Sequence, residues 1–190
     1  MLRDLVLKNR SYRTFAPGVR IPEERIRAWI DLARQCPSAR NAQPLKYAVV
    51  TDTETCAKIL PHTYWAGSLG IQLPPVGHEP TAYIVVCHDT TVCPVNNFSL
   101  MDIGICAQTI LLAATEEGFG GCMIGSLKAE AVREVLSIPE ALTPLLAIGL
   151  GKPDETVVLT EAPDSASVRY YRDENNVHYV PKRPLDDIIL

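Results

Sequence analysis

Apolar residues recur along this chain with two different periods, and the alternation between them divides it into elements. Leu2, Leu5, Val6 and Leu7 form a short apolar run that predicts a helix over residues 2–8. After a turn at Pro17-Gly18, the stretch Ile21-Pro22-Glu23-Glu24 opens a stronger helix. Proline and acids suit a first helical turn, and Ile26, Trp29, Ile30 and Ala33 recur at helical spacing. This helix is expected to end near Gln35, before Pro37. Residues 45–50 and 81–87 read as buried strands, the second apolar throughout and therefore central in its sheet. Between them Thr53 is the expected cap of a short helix over residues 53–60. Residues 61–80 follow neither period and are punctuated by Gly67, Gly70, Pro74, Pro75 and Gly77, which predicts a lid or cover.

The second half repeats the alternation. Ser99 is the expected cap of the most hydrophobic helix, in which Asp102, Gln108 and Thr109 are the polar residues between Leu100 and Ala114. A helix apolar nearly all round must be covered nearly all round, by the domain or by a second subunit. Residues 117–125 carry four glycines and read as a turn that permits close backbone approach to a ligand. They do not form the dinucleotide fingerprint, because Met123 stands at the third glycine position. Ser126 is expected to cap a helix reaching about Leu136, and residues 144–150 read as another buried strand. From about Asp154 onward the chain turns polar, with one short extended candidate at residues 177–180. This arm, residues 154–190, is expected to dock along the domain or across a partner subunit.

One polar cluster stands out: Lys8-Asn9-Arg10-Ser11-Tyr12-Arg13-Thr14-Phe15. Guanidinium forks match phosphate oxygens two at a time, and a serine between them adds a hydroxyl donor. A solvated basic surface has the same composition, so the spacing leaves both readings open. Residues 36–44 supply small hydrogen-bonding side chains (Ser38, Asn41, Gln43) between two prolines, again as either a solvated or a ligand-binding loop. Lys182 and Arg183 form a second basic pair near the C-terminus.

Composition narrows the classes. A length of 190 residues suits one domain, and 47% hydrophobic with 21% charged residues is ordinary for a globular protein. A net charge of −4 argues against a nucleic-acid surface or a polybasic membrane anchor. The N-terminal residues lack a signal-peptide pattern and no membrane span is expected, which points to a cytoplasmic location. The six cysteines show no Cys-x-x-Cys and read as reduced thiols; the four histidines are scattered, and no metal site is expected.

Taken together, the chain resembles the FMN-dependent nitroreductase family over most of its length. The resemblance is carried by Arg10-Ser11-Tyr12-Arg13 with Phe15, by Pro37-Ser38-Ala39-Arg40-Asn41-Ala42-Gln43-Pro44, by the glycine-rich stretch from Gly118 to Gly125, by Ile148-Gly149-Leu150-Gly151-Lys152-Pro153, and by Lys182-Arg183-Pro184-Leu185. It implies an α+β fold: an α-β-α sandwich of helices around a mixed, mainly antiparallel sheet, in a homodimer with FMN at the subunit interface. It also implies that Arg10 and Ser11 bind the FMN phosphate, with Lys182 and Arg183 adding charge, and that Arg13 lies near flavin N1 and the C2 carbonyl. Pro37, Ser38, Ala39 and Asn41 would reach in from the other subunit and Gln43 would line the pocket, while backbone groups of Cys122, Met123, Ile124 and Gly125 would pass the isoalloxazine ring.

The implied activity is hydride transfer from NADH or NADPH through flavin N5 to a small electron-poor acceptor such as a nitroaromatic or quinone, with no catalytic side chain required. Three departures mark this chain: Asn9 where a second arginine is common, Leu45 where an aromatic is common, and Met123 where tryptophan is common. Two other readings share the binding motifs. One is a flavoenzyme with another reductive reaction, dehalogenation or flavin breakdown, for which His62, Tyr64, Trp65 and His78 are the candidate lid residues. The other is a non-catalytic FMN-binding protein.

Overall fold

The computed structural model describes residues 1–162 and 167–190. Helices α1 (Leu2–Lys8) and α2 (Glu23–Ala33) precede strand β1 (Leu45–Val50), helix α3 (Thr53–Ile59) and strand β2 (Ala82–Asp89). Helix α4 (Asn97–Glu116), strand β3 (Gly120–Ile124), helix α5 (Ala129–Leu136) and strand β4 (Leu142–Gly151) follow. The main sheet has the order β1-β2-β4-β3, all neighbours antiparallel. The arm forms a second sheet of β5 (Val157–Glu161), β6 (Tyr171–Arg172) and β7 (His178–Lys182), in which β7 runs parallel to β5 and antiparallel to β6.

β2 explains why this is a sandwich. Successive strand residues face opposite sides of a sheet, so a continuously apolar strand needs cover on both. Ala82, Ile84 and Val86 pack with Ile26 and Trp29 of α2 and Ile103, Ala107 and Ile110 of α4. Tyr83, on the other face, packs with Phe15, Cys56, Ile59 and Trp65. Val85 and Cys87 meet Val132 and Ile138. The α-β-α sandwich is therefore written in β2, and in its neighbour β4, whose Ile148 and Leu150 join the first of these clusters and Ala147 the second.

Several boundaries differ from the sequence reading. Asn96, not Ser99, caps α4: its Oδ1 accepts from the N–H groups of Phe98 and Ser99, and Ser99 Oγ accepts from Asn96 N–H in return. Asp52 rather than Thr53 caps α3, accepting from Thr55 N–H at 2.8 Å. Ser126 caps nothing. It lies in a tight turn closed by Leu127 N–H on Gly125 O; Leu127 bridges to Thr63, Ser126 O accepts from Tyr64 N–H, and α5 starts at Ala129. Those same bonds tie down the start of residues 61–80. There Trp65 is buried, set edge-on to Phe15 with its indole N–H bonded to Thr63 Oγ1, so this part of the segment is core and not a cover. α4 is long and apolar enough to cross a membrane by length and composition, which the sequence reading did not expect; its inner face is core. All six cysteines are free thiols, and burial pushes Cys56 and Cys87 up to about 11.

Candidate active site

The Arg-Ser-x-Arg segment follows α1 and is laid against the free edge of β3. Ser11 forms a parallel bridge with Gly121, and Tyr12 N–H donates to Gly121 O at 3.0 Å. The glycine-rich stretch makes this possible. A Cβ on Gly120 would lie 2.6 Å from Tyr12 Cδ2, and one on Gly121 would lie 2.3 Å from Gly149 O. The sequence reading took these glycines for a turn beside a ligand; residues 120–124 are a strand, and Gly120 and Gly121 admit the chain's own neighbouring segments.

The segment forms one wall of a cleft of about 370 Å³. Arg10, Ser11, Arg13, Met123 and Lys182 line it, five of the residues singled out from sequence. Burial lowers the pKa of the Arg10 guanidinium and raises that of the neighbouring Tyr12 phenol. Arg10 donates one bond to Val6 O at 2.6 Å and Arg13 one to Ser11 O at 3.0 Å. Arg10 Nε, Arg13 Nε, Asn9 Oδ1 and both ring nitrogens of His178 are buried without a hydrogen-bond partner among the described residues. Buried polar atoms in native proteins are nearly always paired, so a cleft bordered by this many unpaired ones is built to receive a polar group. Most of its side chains are donors and three carry positive charge, which selects an anion.

The arm supplies the opposite wall with Val157, Tyr170, His178 and Val180, and α4 supplies Gln108 and Leu111. Sequence reasoning missed these. Two signals were present: Gln108 is a polar interruption of an apolar helix, and residues 177–180 stood out as extended. His178 is buried. Its pKa falls to about 4, first from burial and then from the Arg13 and Arg172 cations, so the imidazole is neutral.

The remaining predicted residues lie elsewhere in the chain. Pro37, Ser38, Ala39, Asn41 and Gln43 do not line this cleft. Their loop is fastened to α4, with Ser38 Oγ donating to Asp102 Oδ2 at 2.6 Å and Ala39 N–H to Asp102 Oδ1 at 3.2 Å. Gln43 Nε2 donates to Asn41 Oδ1 at 2.9 Å, and Arg40, Asn41 and Gln43 all have positive φ. Cys122 and Ile124 turn their side chains into the core, while Gly125 and Arg183 are not among the lining residues. Of the lid candidates, Trp65 is in the core, Tyr64 is exposed beneath Lys128, and His78 bonds to Phe15 O; neither they nor His62 line the cleft.

α4 turns a second apolar stripe outward. Phe98, Met101 and Ile105, spaced three and four residues apart on one helical face, are 57%, 60% and 43% exposed. α1, which packs on α4, exposes Leu2 and Val6.

Comparison with known proteins agrees with this architecture. The model of the Nitroreductase family matches residues 6–72 and 95–152. A protein of Methanothermobacter thermautotrophicus named as an NADH dehydrogenase/NAD(P)H nitroreductase is 34% identical over 139 residues, 71% of this chain and 69% of that one. An NADPH-flavin oxidoreductase of Vibrio harveyi is 29% identical over 80% of this chain and 65% of its own length. The solved nitroreductase family protein of Streptococcus pneumoniae TIGR4 superposes with a TM-score of 0.74 over 100% of this chain and 99% of that one; at 20% identity it speaks for the fold. The arm lies outside the family match.

Proposed function

Because the chain belongs to the nitroreductase family and is an oxidoreductase of it, we propose that it binds FMN and passes hydride from NADH or NADPH to a small electron-poor acceptor, a nitroaromatic or a quinone. The observation that carries this reading is the cleft in which Arg10, Ser11, Arg13 and Lys182 converge beside unpaired guanidinium nitrogens. The donor set fits the cofactor. One guanidinium, an ammonium and a hydroxyl suit a phosphate, the second guanidinium suits a ring that gains negative charge, and the buried Asn9 Oδ1 is an acceptor for a hydroxyl of the sugar chain.

When bound, FMN would supply the hydride chemistry, and the protein would supply orientation and charge. Arg10, Ser11 and Lys182 would hold the phosphate. Arg13 would be the cation that stabilises the negative charge the flavin gains on reduction. Met123 and Leu111 would offer apolar surface to the ring and exclude water from it.

The loop at Pro37, Ser38, Ala39, Asn41 and Gln43 belongs to the same site in a homodimer, reaching the cleft of the second copy. Two features support this: the loop is prefolded on α4 yet absent from its own chain's cleft, and the outward apolar stripe on α4 is a face that a second copy would cover.

The test is the visible spectrum of purified, FMN-loaded protein under anaerobic NADH and then NADPH, followed by an acceptor. Bleaching by either nucleotide and recovery with a nitroarene or quinone is expected. A bound flavin that stays oxidised with both overturns the reading.

A further inference from the structure

Next to the cleft lies a buried charged cluster whose two charged members, Glu155 and Arg172, do not line it. The side chains of Glu155 and Arg172 are 3% and 8% exposed and form an ion pair. Glu155 Oε1 accepts from the backbone N–H of Arg13 and from that of Thr14, the latter at 3.0 Å. Arg172 also donates to Asn176 Oδ1 at 2.9 Å. His178 Nδ1 stands 4.0 Å from Glu155 Oε2, and the Tyr170 ring touches both His178 and the Arg13 guanidinium, at 5.4 and 5.5 Å. An ion pair taken out of water loses in desolvation about what it gains in attraction, so stability is a weak reason to keep one. The field of such a pair acts strongly, because little water screens it.

We propose that the field of the Glu155–Arg172 pair sets the reduction potential of the flavin bound beside Arg13, the carboxylate being held in place by the Arg13 and Thr14 N–H groups. This rests on the flavin reading above. Reduction adds negative charge next to Arg13. The Glu155 carboxylate, bonded to the Arg13 N–H, opposes that charge, and Arg172 offsets the carboxylate. His178 is neutral at ordinary pH, so the balance is struck between two arginines and one carboxylate. Both members of the pair lie outside the residues that match the family model, so the device belongs to this chain's arm.

The pair makes an asymmetric prediction. Glu155→Gln keeps the shape and an acceptor oxygen but leaves Arg172 uncompensated, and the midpoint potential of bound FMN is expected to rise. Arg172→Gln leaves the carboxylate uncompensated, and the potential is expected to fall. In each case the ratio of dissociation constants for oxidised and reduced FMN shifts roughly tenfold. The double variant returns close to the parent value. Shifts of the same sign, or no shift with flavin still bound, would overturn the proposal, since a merely structural pair weakens folding and FMN affinity without opposed potentials. Should Glu155→Gln fail to fold, Arg172→Gln against Arg172→Lys decides: the potential falls in the first and holds in the second. A parent protein that binds no FMN defeats the functional reading itself, and this inference with it.

Discussion

The Arg10–Lys182 cleft and the loop at residues 37–43 carry the same kinds of polar side chain, yet they differ in whether those groups are satisfied. In the loop, Ser38 and Ala39 N–H have Asp102, and Gln43 has Asn41. In the cleft, Arg10 Nε, Arg13 Nε and Asn9 Oδ1 have no partner among the described residues. A satisfied cluster is a finished part, held rigid for presentation. An unsatisfied one is a receptor, since buried donors left alone cost about 1–3 kcal/mol each and a ligand recovers that cost. The contrast is the reason for proposing the cleft as the seat of the cofactor's anionic end and the loop as a part presented to a second copy.

The comparison is most severely tested at Arg10. Arg10→Ala removes a charged donor from the cleft and is expected to weaken FMN binding about thirtyfold or more, read by flavin fluorescence titration. An unchanged affinity would place the phosphate elsewhere. The loop's dependence on a second copy is tested on the outer face of α4. Ile105→Lys puts a charge into the apolar stripe and is expected to shift the dimer to monomer at micromolar concentration in sedimentation, and to lower FMN affinity with it. A variant that stays dimeric would move the interface off this stripe.

Asp102→Ala strips the acceptor from Ser38 and Ala39. It is expected to cost about 1–3 kcal/mol in chemical denaturation, more than the same change at exposed Asp186. An effect seen only in acid, and absent at neutral pH, concerns His178. Its folded pKa, about 4, lies below its ordinary 6.5, so the unfolded chain binds the extra proton as pH falls through that window. Its contribution to stability is full above pH 6.5 and is lost toward pH 4. The pH slope of unfolding free energy there should decrease by up to one proton in His178→Gln.

How much of this was legible in the sequence depended on the range of the interactions. β2 and α2 announced themselves because a continuous apolar run and period-3.6 burial are both local signals. The cap of α4 was misplaced by three residues because Asn96 and Ser99 can each cap a helix, and in the fold they cap each other's backbone. β3 was hidden because Gly120 and Gly121 are poor strand formers whose need comes from Tyr12 and Gly149, far off in sequence. The arm's share of the site, Tyr170 and His178, was invisible for the same reason: its sheet joins residues 157–161 to 178–182 in parallel, and only that pairing brings them to Arg13. Arg10, Ser11, Arg13 and Lys182, which line one cleft, could be singled out in the sequence because guanidinium, hydroxyl and ammonium groups carry their chemistry wherever they are placed.

The most direct measurement compares FMN with riboflavin in binding to the apoprotein and to Arg10→Ala. The two ligands share a ring and a sugar chain and differ in the phosphate. A preference for FMN of at least about a hundredfold, largely abolished by the substitution, is predicted if the charged donors of the cleft hold the phosphate. Equal affinity for the two flavins, or a preference that survives in Arg10→Ala, would contradict it.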